Sequence, residues 1–282
     1  MAQNRPRITA SLVLFLLAGA NPISADSPRT FTLGWADVGW AVLGGASVMG
    51  AQIRYDDMRP AEARDLVRSD LIFMDRWAAG LYSPGADLAS DMLAFPLCAL
   101  PVAWSAWKTW GGKPAPGQRA STGIPAPIVD AVILAEAMAL SSSLNLFVRS
   151  LRIHPRPLVY GQAAPRSERE KGEASGSFYS GHASAAFLAA TYFAYTYPLR
   201  HPEFKYHGAL WAGALGAASL VAGLRVAAGK HFPSDVLVGA AAGAFFGWVF
   251  PRMHLKTPGG GTAALRLDAG PEGARPRVEW TF

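Results

Sequence analysis

Three groups of reactive side chains stand at the ends of long apolar stretches. Arg149, Arg152, His154 and Arg156-Pro157 follow one stretch, and Ser180-Gly181-His182 precede the next. Arg225, His231 and Asp235 join the last two. An arginine carries a planar, permanently charged fork of donors that suits a tetrahedral oxyanion such as phosphate. Arg149, Arg156 and Arg225 offer three such forks. Ser180 and Gly181 stand just ahead of a helix, where backbone N–H groups and the helix dipole also hold an anion. Gly181 allows close backbone approach. Asp235 follows His231 by four residues, and Pro233 between them suits a first helical turn. A carboxylate that accepts the proton of one ring nitrogen leaves the other nitrogen free to attack. His231 is therefore expected to be a nucleophile toward phosphorus, with Asp235 as its orienting partner. His182 is expected to protonate the departing oxygen and then activate the water that cleaves the phosphohistidine. The arginines and the 180–181 amides would stabilise the developing charge.

The chain has no His-x-x-x-His pair, no Asp-rich loop and no Walker loop. No metal ligand and no cofactor is expected at this site. His154, His201, His207 and His254 read as structural or surface residues, and Arg152 as a solvated charge. Asp130 and Glu136 are expected to face the bundle interior or the interface. Lys230 receives no role.

The elements that must position these groups are six nearly uncharged segments, 38–53, 92–107, 131–148, 183–199, 208–224 and 236–250. Only the third holds a charge, Glu136. A helix apolar all round is buried in protein or in lipid. Six of them are hard to bury in a domain of this size, and their small residues suit close-packed membrane helices. The expected fold is an all-α bundle of about six core helices embedded in a membrane. Helices joined by short connections run antiparallel, which brings all three reactive groups to one face.

Composition sets the outer bounds. Of 282 residues, 51% are hydrophobic and only 16% charged, against about 25% charged in a typical soluble domain. Disorder and a nucleic-acid-coating role are excluded, and no obligatory protein partner is indicated. A net charge of +6 suits phosphates or an anionic lipid surface. The single cysteine, Cys98, forbids an intramolecular disulfide. Arg5, Arg7, the apolar stretch 8–20 and Ala18-Gly19-Ala20 read as a signal peptide or N-terminal anchor over 1–25. A single helical domain is expected over 30–252 and a tail over 253–282, whose last six residues alternate like a strand. Residues 54–87, charged of both signs, suggest an amphipathic surface helix. Residues 111–127 read as a loop, 161–180 as a polar, flexible connection, and the charged stretch 166–173 within it as a solvated lid.

At the reactive residues the sequence resembles the type 2 phosphatidic acid phosphatase superfamily. That superfamily also includes bacterial class A acid phosphatases and vanadium haloperoxidases. The family pattern K-x6-R-P reads Arg149-x6-Arg156-Pro157 here, P-S-G-H reads Tyr179-Ser180-Gly181-His182, and S-R-x5-H-x3-D reads Leu224-Arg225-x5-His231-x3-Asp235. Spacing and order match over roughly 130–250. Arg149 replaces a lysine, Tyr179 a proline and Leu224 a serine. The resemblance implies His231 as nucleophile, His182 as general acid and Arg149, Arg156, Ser180, Gly181 and Arg225 as phosphate ligands. It implies a metal-independent phosphatase acting on a monoester or pyrophosphate, with a membrane lipid as the expected substrate: phosphatidate, phosphatidylglycerol phosphate, polyprenyl pyrophosphate or lipid A. The expected location is the bacterial inner membrane, with the site facing the periplasm. A soluble periplasmic acid phosphatase, a vanadate-dependent haloperoxidase and a silent phosphate- or lipid-binding membrane protein are the alternatives.

Overall fold

The structure, a computed structural model, describes residues 29–57, 66–111, 124–255, 263–270 and 273–280. The expected signal segment over 1–25 lies outside them. All six apolar segments form helices: α1 (Trp35–Asp56), α2 (Pro84–Trp110), α3 (Ala126–Ser150), α5 (Gly181–Arg200), α6 (His207–Ala227) and α7 (Pro233–Met253), with the single turn α4 (Arg166–Arg169) between α3 and α5. A two-stranded antiparallel hairpin, β1 (Ala263–Gly270) and β2 (Gly273–Trp280), follows. The strand-like alternation of the tail belongs to this hairpin. No α-helix forms within 66–83, which holds two short 3-10 turns, Arg68–Asp70 and Arg76–Ala78; residues 58–65 of the stretch expected to carry a surface helix lie outside the described residues.

Local chemistry sets the helix starts. Ser83 and Ser180 accept hydrogen bonds from the N–H groups of Ala86 and Ala183, each at 3.3 Å, and so cap α2 and α5. Pro84, Pro127 and Pro233 sit in first turns, where the missing N–H costs nothing. The start of α3 therefore absorbs the end of the expected 111–127 loop.

Helix α5 lies at the centre and is mostly buried, with α2, α3, α6 and α7 around it and α1 against α3. Its nearest neighbour is α7, and both helices begin at the same end of the bundle. Gly239, Gly243 and Gly247 form one ridge of α7, four residues apart. A Cβ on any of them would collide with the carbonyl oxygens of Ser180, Ser184 and Leu188 on α5. Small residues at this spacing let two helix backbones touch. Beside this seam, Asp130 accepts both arms of Arg200 at 2.6 and 2.7 Å and the Tyr192 hydroxyl at 2.5 Å. The expected interior orientation of Asp130 thus has a specific partner.

The outward faces are apolar. Val42, Met49 and Ile53 on α1, Met92 and Phe95 on α2, Phe147 on α3, Leu220 on α6 and Phe245 on α7 are all exposed. Helices α2, α3, α6 and α7 are long and apolar enough to cross a membrane, yet only 22–39% of each apolar window is buried within the protein. Water would not tolerate that much continuous apolar surface, and lipid does. The chain is a membrane protein.

The seam makes a direct prediction. Gly243→Ala should lower the midpoint of thermal unfolding in detergent, in line with an overpacking cost of about 1–3 kcal/mol. Gly216→Ala, where an added Cβ meets nothing within 4 Å, should leave it unchanged or raise it slightly. Equal midpoints for the two variants would contradict the tight seam.

Candidate active site

The reactive groups meet where α5 and α7 begin. His231 is 2% exposed, in the turn between α6 and α7. Gly229 makes that turn possible: its φ is +73°, and a Cβ there would strike the carbonyl of Leu81. Its own carbonyl accepts from Leu158 N–H at 3.0 Å, which ties the turn to Arg156-Pro157.

His231 Nδ1 donates to the backbone carbonyl of Ser177 at 2.9 Å. A carbonyl only accepts, so the proton sits on Nδ1 and Nε2 keeps its lone pair. The orienting contact expected from Asp235 is thus supplied by a backbone group. The nearer Asp235 oxygen, Oδ2, stands 3.7 Å from Nδ1. It accepts instead from the Ser177 hydroxyl at 2.5 Å and from Phe232 N–H at 2.7 Å. Asp235 caps its own helix and fixes the Ser177 loop, and that loop fixes the imidazole. Its Oδ1 faces His154 Nε2 at 3.3 Å. His154, expected to be merely structural, therefore belongs to this network.

Burial pushes the His231 pKa down to about 3, with Arg225 and Arg149 adding to the effect and Asp235 offsetting part of it. Burial also opposes charge on His154, but the attraction of Asp235 outweighs it and raises that pKa above the ordinary imidazole value. Two histidines on one carboxylate are thus pushed apart in protonation.

His182 opens α5 and is 37% exposed. Its Nε2 lies 2.9 Å from Asp91 Oδ1, and the same oxygen lies 3.6 Å from Arg225 Nη1. Arg225 is within electrostatic reach of both His182 and His231. Asp91 was missed in the sequence. Its signal was the pair Asp87 and Asp91, one turn apart near the start of a helix whose other charge is Lys108 in the last turn.

Arg149, Arg156 and Arg225 lie in one another's fields. Arg156 reaches Glu173 at 3.2 Å, and Arg225 reaches Asp87 at 2.5 Å and the Ser90 hydroxyl at 3.0 Å. Arg149 donates to the Gly176 carbonyl at 3.3 Å and stacks on the Tyr55 ring, 4.6 Å from its centroid. Tyr55 in turn donates to Glu173 at 3.3 Å. One nitrogen of each arginine remains buried without a hydrogen-bond partner: Arg149 Nη2, Arg156 Nε and Arg225 Nε. Unmet buried donors are costly, and three from three convergent cations suit an oxyanion.

Two expectations need correction. The Ser180 N–H donates to the Asp235 carbonyl at 3.1 Å and its hydroxyl caps Ala183, so neither is directed to an anion. The Gly181 and His182 amides, in the first turn of α5, have no intrahelical acceptor. Gly181 also admits Asn145, whose Oδ1 would lie 2.8 Å from an added Cβ. Second, the 161–180 connection is anchored to the site, although Arg166, Ser167, Glu170 and Lys171 within the 166–173 stretch stay exposed. Ala174, Ser175 and Ser177 are buried, Glu168 reaches Lys230 at 3.5 Å, and Glu173 turns inward onto Arg156. Lys230, left without a role in the sequence, also pairs with Asp87 at 3.2 Å.

The fold and site together describe a helical membrane protein in which three arginines gather at the end of the bundle that carries His182 and His231. The family model of the PAP2 superfamily matches residues 130–258. That stretch holds all three motifs. A lipid A 1-phosphatase of Porphyromonas gingivalis is 30% identical over 110 residues, which cover 39% of this chain and 22% of that protein. The match thus spans about a fifth of the relative's length. Among solved structures, a transmembrane PAP2-type phosphatidylglycerolphosphate phosphatase of Bacillus subtilis aligns over 86% of this chain and 94% of that one, with 19% identity and a TM-score of 0.41.

The protonation pattern is measurable by histidine ¹⁵N resonances. His231 should stay neutral, with its proton on Nδ1, between about pH 5 and 8, while His154 should remain charged above the ordinary value of about 6.5. Because the folded chain holds the His154 proton more tightly than the unfolded chain does, this pairing stabilises fully below about pH 6.5. The stabilisation is lost as pH rises through the raised value. A His231 that titrates near pH 6.5 would contradict the buried geometry.

Proposed function

We propose that this chain is a metal-independent phosphohydrolase that removes phosphate from a membrane lipid monoester or pyrophosphate through a phosphohistidine. The observation that carries the lipid reading is a cavity of about 410 Å³ beside His182. Val48, Ala94, Phe95, Met138, Leu146 and Ala185 supply its apolar walls. The volume suits a small-molecule or chain-binding site. It lies on the side of the leaving group, where a lipid's hydrocarbon must go. The resemblance of one segment to a lipid A 1-phosphatase supports the same substrate class, as do the outward apolar faces.

The reaction follows from the geometry. The phosphoryl oxygens accept from Arg149, Arg156, Arg225 and the first amides of α5. His231 Nε2 attacks phosphorus, and the P–O bond to the lipid breaks. The departing oxygen takes a proton from His182. Water then gives a proton back to His182 and attacks phosphorus, and the P–N bond breaks to release phosphate and restore His231. We place the site at the periplasmic face of a bacterial inner membrane. A cysteine introduced at Ser167 should then react with an impermeant thiol reagent in intact spheroplasts.

Purified protein should release phosphate from a lipid phosphate in mixed micelles, at an initial rate unchanged by chelator. His231→Ala should abolish release. His182→Ala should cost about 10²–10⁴-fold on an alkyl ester, and far less on p-nitrophenyl phosphate, whose leaving group needs no proton. Ala185→Phe should lower kcat/KM for a long-chain lipid phosphate while sparing p-nitrophenyl phosphate. Equal losses on both substrates would remove the cavity from the argument, and hydrolysis by His231→Ala at the wild-type rate would remove the mechanism.

A further inference from the structure

At the end of the bundle away from the site, three side chains from three helices converge. Asp37 lies in the first turn of α1, Glu136 in the middle of α3, and His254 directly after α7. Thirteen residues of α3 separate Glu136 from Arg149, on the order of 20 Å along the helix. His254 Nε2 lies 2.9 Å from Asp37 Oδ1 and 3.4 Å from Glu136 Oε2. One donor atom from each residue falls within 4.8 Å of the others.

Glu136 makes this cluster more than a set of acids. It is 3% exposed, and both its carboxylate oxygens are buried without a hydrogen-bond donor. The charges that bear on it are His254 and Asp37. A bare carboxylate inside a membrane protein is expensive and needs a cation. The imidazole is already oriented. His254 Nδ1 donates to the Phe250 carbonyl at 2.8 Å, and Nε2 faces Asp37 Oδ1 at 2.9 Å, a gap that a second ring proton or a bound cation must fill. Lone pair against carboxylate is repulsive unless something positive lies between them. Asp37 is similarly prepared: its Oδ2 accepts from Gly34 N–H, which leaves Oδ1 for the cluster.

We infer that Asp37, Glu136 and His254 form a binding site for a divalent transition metal, with zinc the best match. One neutral imidazole and two carboxylates bring a charge of −2, which a divalent cation cancels. Zinc–nitrogen and zinc–oxygen bonds run about 2.0–2.2 Å. Ligand atoms around such an ion stand about 3.0–3.5 Å apart, and the observed separations of 2.9 and 3.4 Å fit that spacing. The carbonyl behind Nδ1 is the outer-shell partner that a metal-bound histidine normally has. The role is structural. The ion pins α1 and the segment after α7 to α3, beside the antiparallel bridge between Phe31 and Leu255.

Zinc titration of the full chain in detergent, followed by calorimetry and by the unfolding midpoint, tests this. Wild type should bind one equivalent and unfold at a higher temperature with zinc than after chelation. X-ray absorption should report one imidazole among oxygen ligands. Glu136→Gln should weaken binding on the order of 100-fold, and Asp37→Asn should act alike if either variant folds poorly. His231→Ala should bind zinc as wild type does, which separates this site from the proposed reaction. No stoichiometric binding by wild type, or a midpoint that responds to pH and never to zinc, would overturn the inference in favour of a proton bridging the triad.

Discussion

The site rests on one contact, the backbone-to-backbone approach of α5 and α7 across Gly239, Gly243 and Gly247. The two helices run parallel, so the seam sets both N-termini side by side. The positive ends of two helix dipoles then face the same point. The hydrogen bond from Ser180 N–H to the Asp235 carbonyl is the last rung of that seam. It places His182 and the His231 turn beside each other without either imidazole being fixed by its own helix. Any residue larger than glycine on the ridge would separate the motif that carries His182 from the one that carries His231.

Around this seam the structure handles a dense positive charge by interleaving acids. Asp87 and Asp91 come from α2, Glu168 and Glu173 from the 161–180 connection, and each meets a cation at the pocket. Three buried guanidinium groups without counter-charge would repel one another strongly. The carboxylates offset that repulsion yet leave one donor on each arginine unmet. The pocket therefore stays organised while it keeps capacity for an oxyanion. Asp235 follows the same logic. Its charge holds a loop and raises the proton affinity of His154, while burial keeps His231 neutral and nucleophilic.

Much of this was legible in order along the chain. The six apolar runs, the arginine and histidine spacings and the alternation of short connections led to a helical bundle with its reactive residues at one end. The match to the PAP2 family model spans those same residues. What stayed hidden shares a cause: each missed contact joins residues far apart in sequence. Asp91 meets His182, Tyr55 stacks on Arg149, and Ser177 orients His231 through a carbonyl, a group that every residue possesses and no spacing reveals. The anchoring of the 161–180 segment stayed hidden because polar composition alone cannot tell a loop that faces water from one that neutralises buried arginines.

The sequence by itself determined the element types and the gathering of the arginine and histidine motifs at one end of the bundle. Those follow from local periodicity, capping and side-chain character, which act over a few residues. Only the tertiary structure decided which atom holds which. It moved the orienting role from Asp235 to the Ser177 carbonyl, withdrew the Ser180 amide from anion binding, and brought Asp37, Glu136 and His254 together from three separate helices. Distances of this kind depend on how helices meet, and helix contact is set by backbone approach and shape rather than by residue order.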